Sequence, residues 1–110
     1  MKTSWQTICG VDDLVTNSGV CALLNNETQI AIFNLTGEQE EIFAIDNFDP
    51  IGQANVLYRG IVGCNDGEPV VASPLYKQQF SLKSGKCMQE ETSVNTYPTR
   101  IVDQEVQILV

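Results

Sequence analysis

No histidine occurs among the 110 residues. Its absence excludes every Ser-His-Asp or Cys-His nucleophilic site and every His-ligated zinc, copper or haem. It also removes the usual general base near neutral pH. Cations are scarce as well: 6 Lys and Arg stand against 14 Asp and Glu, for a net charge of −8. Such a surface repels phosphate backbones and anionic lipid, so neither nucleic acid nor a membrane is an expected partner. No stretch reaches the ~20 apolar residues of a membrane-spanning helix. Nor does an apolar run of signal-peptide length follow Met1-Lys2-Thr3-Ser4-Trp5, and a cytoplasmic location is expected. The sequons Asn26-Glu27-Thr28 and Asn34-Leu35-Thr36 are then chance matches.

What is present is a globular composition, 43% hydrophobic and 18% charged. The length suits a single domain over residues 1–110. The four cysteines, Cys9, Cys21, Cys64 and Cys87, form no Cys-x-x-Cys pair. A reducing compartment makes disulfides improbable. The expected role of these thiols is that of buried small hydrophobes, with Cys21 inside Val20-Cys21-Ala22-Leu23-Leu24 and Cys64 ending Gly60-Ile61-Val62-Gly63-Cys64.

The dominant hydrophobic period is two, that of strands. In 28–33, Ile30 and Ile32 alternate with Gln29, Ala31 and Phe33; in 41–46, Ile42, Ala44 and Asp46 alternate with Phe43 and Ile45. Further strands are predicted at 68–72, 79–82, 101–102 and 106–110. Turn residues punctuate them: Asn17-Ser18-Gly19, Asn25-Asn26, Thr36-Gly37, Asn65-Asp66-Gly67, Lys83-Ser84-Gly85-Lys86 and Asp103-Gln104-Glu105. One helical turn with an Asp cap is predicted at Val11-Asp12-Asp13-Leu14. Many short strands at this spacing predict an all-β antiparallel sandwich or barrel. The segment 47–59, with Pro50 and Gly52, reads as a long loop between strong strands, where function tends to sit.

Two loops carry a resemblance. Phe43-Ala44-Ile45-Asp46-Asn47-Phe48-Asp49-Pro50-Ile51-Gly52 and Val71-Ala72-Ser73-Pro74-Leu75-Tyr76-Lys77-Gln78-Gln79-Phe80-Ser81-Leu82-Lys83-Ser84-Gly85-Lys86-Cys87, with the tail from Tyr97-Pro98, are similar to the Rieske iron–sulfur domain. There a strand ending in Asn leads to Cys-x-His, and a later Cys-Pro-x-His loop leads to Phe-x-Leu. The resemblance implies an all-β Rieske-like fold with long loops at the cluster tip. It places the first cysteine at Asp49 and its histidine at Ile51, the second cysteine at Ser73 and its histidine at Tyr76. All four ligands are replaced, so no cluster is expected. Ile51 and Tyr76 are expected to pack where the imidazoles would stand. With no cluster to hold them, the loops 49–57 and 73–78 are expected to be mobile alone and ordered by a partner.

A cluster-free version with Asp-x-Ile and Ser-Pro-Leu-Tyr-Lys-Gln more closely resembles the small subunits of NADH-dependent assimilatory nitrite reductases. Trp5-Gln6-Thr7-Ile8-Cys9-Gly10-Val11-Asp12-Asp13-Leu14 and Gly19-Val20-Cys21-Ala22-Leu23-Leu24 belong to the match. That resemblance implies a partner large subunit carrying flavin, sirohaem and a 4Fe–4S cluster, which reduces nitrite to ammonia. This chain would assist without a cofactor of its own. The alternative is a stand-alone protein–protein interaction module on the same scaffold.

Individual residues carry modest chemistry. Asp46-x-x-Asp49 could hold a cation, but Asx-turn geometry is the commoner reason for such residues at a loop entrance. Ser73 lacks a base and is expected to be a loop-start hydroxyl. Three of the six cations, Lys77, Lys83 and Lys86, fall in one short segment, and Arg59 follows the other loop. They are candidates for a positive docking spot near the tip, facing an acidic region of the large subunit.

Overall fold

The alternation in 28–33 becomes the centre of the molecule, because both faces of that strand are covered. A computed structural model describes residues 4–24, 27–36 and 41–110. The strands are β1 (Trp5–Gly10), β2 (Ser18–Leu23), β3 (Gln29–Leu35), β4 (Glu41–Asp46), β5 (Phe48–Asp49) and β6 (Ala54–Asn55). They continue with β7 (Ile61–Asn65), β8 (Glu68–Ala72), β9 (Gln79–Ser81), β10 (Thr96–Tyr97), β11 (Thr99–Val102) and β12 (Glu105–Leu109). Two single turns of 3-10 helix, Val11–Asp13 and Leu57–Arg59, complete the described elements. No described helix is long and apolar enough to cross a membrane.

The strands pair antiparallel in sheets ordered β10-β4-β3-β2, β1-β12-β11 and β7-β8-β9, with the small hairpin β5-β6. This is the all-β antiparallel architecture the sequence predicts. In the central sheet Ile32 pairs with Ala44 and Phe33 with Phe43. Successive residues point to opposite faces, so each strand feeds two cores. Ile30, Ile32 and Ala44 pack with Leu24 and Ile108. Ala31, Phe33 and Ile45 pack with Leu57, Val71, Phe80, Leu82, Cys87 and Val94. Burying each large apolar side chain contributes about 1.5–3 kcal/mol.

The turns follow their residue types. Asp66 (φ 52°) with Gly67 (φ 82°), and Asp103 (φ 51°) with Gln104 (φ 66°), close two-residue hairpins in the left-handed region. Gly85 takes φ 78° at the 83–86 turn. The predicted Asn25-Asn26 turn and the start of the Thr36-Gly37 loop lie at or outside the edge of the described residues, as does the sequon asparagine Asn26. Asn34 is buried in β3 and is no accessible acceptor of a glycan.

The predicted helical turn with an Asp cap is present as the first 3-10 turn: Asp13 reaches back, and its carboxylate accepts from the Gly10 amide at 2.9 Å. Two expectations are corrected. The segment 47–59 is not strandless, since it folds into the β5-β6 hairpin and the second 3-10 turn. Only Cys87 is a buried cysteine; Cys21 and Cys64 are exposed and Cys9 is half-buried. The period of two explains this: Cys21 follows Val20, which packs on the core, and its own side chain faces outward. All four are free thiols.

Candidate functional site

Asn47 organises the end of the molecule to which the two singled-out loops belong. It follows β4 and is fully buried. Its side-chain amide donates to Gln29 Oε1 at 3.0 Å, and its Oδ1 accepts from the Tyr58 amide at 2.8 Å. Its backbone carbonyl accepts from the Leu57 amide at 3.0 Å. These bonds tie the second 3-10 turn to the central sheet. Leu57, buried in the core beside Phe33, supplies the apolar half of the same anchor.

Two residues further on, Asp49 is fully buried and enters an Asx turn. Its Oδ1 accepts from the amides of Ile51 (2.8 Å) and Gly52 (3.0 Å). Its other oxygen meets the second loop: Ser73 Oγ donates to Asp49 Oδ2 at 2.5 Å, and Ser73 is only 1% exposed. Ser73 Oγ in turn accepts from the Leu75 amide at 3.3 Å, and the Lys77 amide donates to the Ser73 carbonyl at 3.0 Å. The two positions the resemblance assigns to cysteine thus face each other, 24 residues apart in sequence. They are joined by a buried hydrogen bond. The loops carry internal ties, where the sequence suggested loops ordered by a partner.

The two positions assigned to histidine diverge. Ile51 is half-buried and packs against the core containing Leu57 and Phe80. Tyr76 is 65% exposed and does not fill an imidazole's place, contrary to expectation. The hydrogen bond from the Lys77 amide to the Ser73 carbonyl closes a turn, and Lys77 at its end adopts φ 63°. Leu75 covers Gly52, where even a Cβ would stand 2.3 Å from Leu75 Cδ1.

Asp46 and Asp49 do not converge. Asp46 Oδ1 accepts from the Tyr97 hydroxyl at 2.6 Å, and its Oδ2 from the Asn95 amide at 3.2 Å. This pair tethers β10 to β4, and burial first, then the Asp46 contact, pushes the Tyr97 phenol well up. Nothing local in sequence marks the partnership, because the two residues are 51 apart. Among the described residues no group of three or more Cys, Asp or Glu is placed to hold a metal ion. Burial also pushes the Cys9 and Cys21 thiols up, away from the thiolate form that ligation requires.

The four candidate docking cations separate into two pairs. Arg59 precedes β7, whose Ile61 pairs with Ala72, and Lys77 lies in the loop after Ala72. Both are exposed at this end. Lys83 follows Leu82, whose amide reaches Pro69 near the other end of β8, and the Lys86 carbonyl accepts from the Ser81 amide, level with Val70. Two to three residues of extended strand, about 7–10 Å, separate them from the Ala72 level. Lys86 borders an open depression with Glu68, Glu90 and Glu91, and Lys83 one with Glu41. The single positive spot is therefore corrected to Arg59 and Lys77 alone; antiparallel return, invisible in the spacing of the lysines, carries the others away.

A four-stranded antiparallel layer carrying two loops joined at their tips defines a Rieske-like domain, and residues 4–109 match the model of the Rieske-like [2Fe-2S] domain. The chain is 46% identical over 107 residues to a nitrite reductase (NADH) small subunit of Salmonella typhimurium, covering 96% of this chain and 97% of that one. The solution structure of the nitrite reductase [NAD(P)H] small subunit from Erwinia carotovora superposes with a TM-score of 0.79 at 43% identity, over 96% of this chain and 81% of that one. The chain belongs to the nitrite reductase (NADH) small-subunit family within the Rieske-like domains. A nitrite reductase [NAD(P)H] large subunit of Klebsiella oxytoca also contains a matching segment, 41% identical over 105 residues, or 94% of this chain and 11% of that protein.

A Rieske centre takes two thiolates and two imidazoles. The positions the resemblance assigns to them hold a carboxyl, a hydroxyl, an aliphatic side chain and an exposed phenol, and the first two already satisfy one another. Cys9, Cys21, Cys64 and Cys87 all lie outside 49–57 and 73–78, the loops that hold the four ligand positions. These residues do not fit a [2Fe–2S] cluster.

Proposed function

We propose that this protein is the cofactor-free accessory subunit of a cytoplasmic NAD(P)H-dependent nitrite reductase. It works as one domain over 1–110 and acts by binding the large subunit. In this reading nitrite is reduced to ammonium, for nitrate assimilation, at the flavin, sirohaem and 4Fe–4S centres of the large subunit. This chain carries no electrons. The observation that carries the reading is the buried Asp49–Ser73 hydrogen bond at the two positions assigned to thiolates. A domain built that way offers a shaped surface and no redox centre. The segment of the Klebsiella large subunit that matches this chain supports the choice of partner.

The test is co-expression of the tagged chain with the large subunit of the same organism. The expected eluate holds both chains, and NADH-dependent nitrite reduction falls when this chain is withheld. The chain purified alone after reconstitution with iron and sulfide is expected to be colourless. A stoichiometric iron–sulfide band in the isolated chain would overturn the cofactor-free reading. Failure to co-purify with the large subunit would move the protein to the stand-alone interaction module.

A further inference from the structure

We infer that the large subunit docks on the end of the molecule formed by residues 47–61 and 73–78, through exposed Ile61, Leu75 and Tyr76 flanked by Arg59 and Lys77. This inference rests on the small-subunit reading above and names its surface.

The first observation is where apolar side chains lie open. Of the eight large hydrophobic residues exposed among those described, Phe48, Ile61, Leu75 and Tyr76 fall in these two segments. Ile61 is 80% exposed and Leu75 44%. Ile61 stands opposite Ala72, the residue that leads into the second loop, so Ile61 and the loop carrying Leu75 and Tyr76 share one end of the β7–β8 pair, while Phe48 lies on the β5-β6 hairpin toward Tyr97. Clustered exposure of this kind marks an interaction site more than scattered apolar residues do.

Charge gives the second observation and chooses the partner. The chain holds 14 Asp and Glu, yet within 47–61 and 73–78 the one acid is Asp49, which is buried. Arg59 and Lys77 are both exposed there. On a protein of net −8 these two segments thus present an apolar end with two exposed cations and no exposed acid of their own, Glu27 and Asp46 bordering only its Phe48–Asn55 side. Such an end fits an apolar surface with an acidic rim, and like charges elsewhere on the chain disfavour other approaches.

Rigidity is the third. The Asp49–Ser73 bond, the Asx turn and the Leu75–Gly52 contact fix the backbone that presents Leu75, Tyr76 and Lys77. A face ordered before binding loses less conformational freedom on association. Ser73 is accordingly a positioning residue for the interface.

The experiment measures affinity of the full chain for the purified large subunit by biolayer interferometry, with folding of each variant checked by its amide NMR spectrum. Ile61→Glu and the double variant Tyr76→Glu/Lys77→Glu are expected to weaken binding ~10-fold or more, and Lys83→Glu/Lys86→Glu, away from this end, by less than ~2-fold. Ser73→Ala is expected to weaken binding while Ser73→Thr, which keeps the hydroxyl, restores it. Tip variants that bind within ~2-fold of the parent, or loss of binding on changing Lys83 and Lys86 instead, would overturn the surface and leave the small-subunit reading standing. A parent chain that does not bind the large subunit at all overturns both.

Discussion

Replacing Ser73 with alanine isolates the contact that joins the two loops. The substitution removes the donor to a fully buried carboxyl, Ser73 Oγ to Asp49 Oδ2 at 2.5 Å. A hydrogen bond to a charged group contributes about 1.5–3 kcal/mol, and the oxygen left behind has no water to turn to. The Leu75 amide also loses its acceptor, but at 3.3 Å that bond is weak. The expected loss is about 2–3 kcal/mol, or about 1–1.5 M in urea midpoint at a slope of about 2 kcal/mol per M. Asp49→Ala strands three donors, the Ile51 and Gly52 amides and the Ser73 hydroxyl, and is expected to cost about 3–5 kcal/mol. Asp49→Asn keeps the Asx-turn oxygen and can donate to the serine, so about 1 kcal/mol is expected. The double-mutant cycle of Asp49→Ala with Ser73→Ala then reports the pair itself, with a coupling of about 1–2 kcal/mol. Hydrogen exchange adds a local readout, faster exchange at the Ile51 and Gly52 amides in Asp49→Ala. Additive effects of the two substitutions, or a Ser73→Ala midpoint equal to the parent's, would refute the role assigned to this bond.

Other elements lend themselves to similar tests. Asn47→Ala leaves the Tyr58 amide without its partner and Gln29 Oε1 with only the Cys21 thiol, and is expected to cost about 2–4 kcal/mol, read by urea unfolding and by faster exchange at the Tyr58 amide. Gly85→Ala forces a side chain into φ 78° with its Cβ 2.1 Å from the Val94 carbonyl, for a loss of about 2 kcal/mol or more. Gly63→Ala, with nothing within 4 Å, is expected to stay within about 0.5 kcal/mol. Tyr97 has a folded-state pKa raised above the ordinary 10.0, by burial and then by Asp46. Its contribution is present below that pH and falls as pH rises beyond it, because the unfolded phenol ionises first. Urea midpoints at about pH 8 and about pH 11 should converge between the parent and Tyr97→Phe, and a constant gap counts against this linkage.

How much of this was readable in the chain depends on the range of the interaction. The period-two pattern of 28–33 and 41–46 exposes which residues share a face, and those faces become the two cores, since alternation is a property of the strand itself. Asn65-Asp66-Gly67 and Asp103-Gln104 are legible for the same reason: positive φ is a local demand met by local residue choice. The Asx turn at Asp49 belongs with them, its two amide donors lying two and three residues away. Failures begin where a side chain's partner is remote. Tyr76 looked like a packing residue by its place in the loop, but the 73–77 turn leaves it in solvent. Lys83 and Lys86 look like neighbours of Lys77 in the sequence, but antiparallel pairing carries them back along β8, away from Ala72. The Asp49–Ser73 bond spans 24 residues, and neither residue type announces the other. Its two positions were nonetheless paired in advance by the resemblance, as the sites assigned to two cysteines. In a cluster-bearing Rieske domain those positions are linked through iron; here a carboxyl and a hydroxyl make the link directly. The two apolar cores are built from other residues, and neither Asp49 nor Ser73 belongs to them. Exchanging one cross-link for another therefore alters what the tip can do while leaving the sandwich that carries it intact.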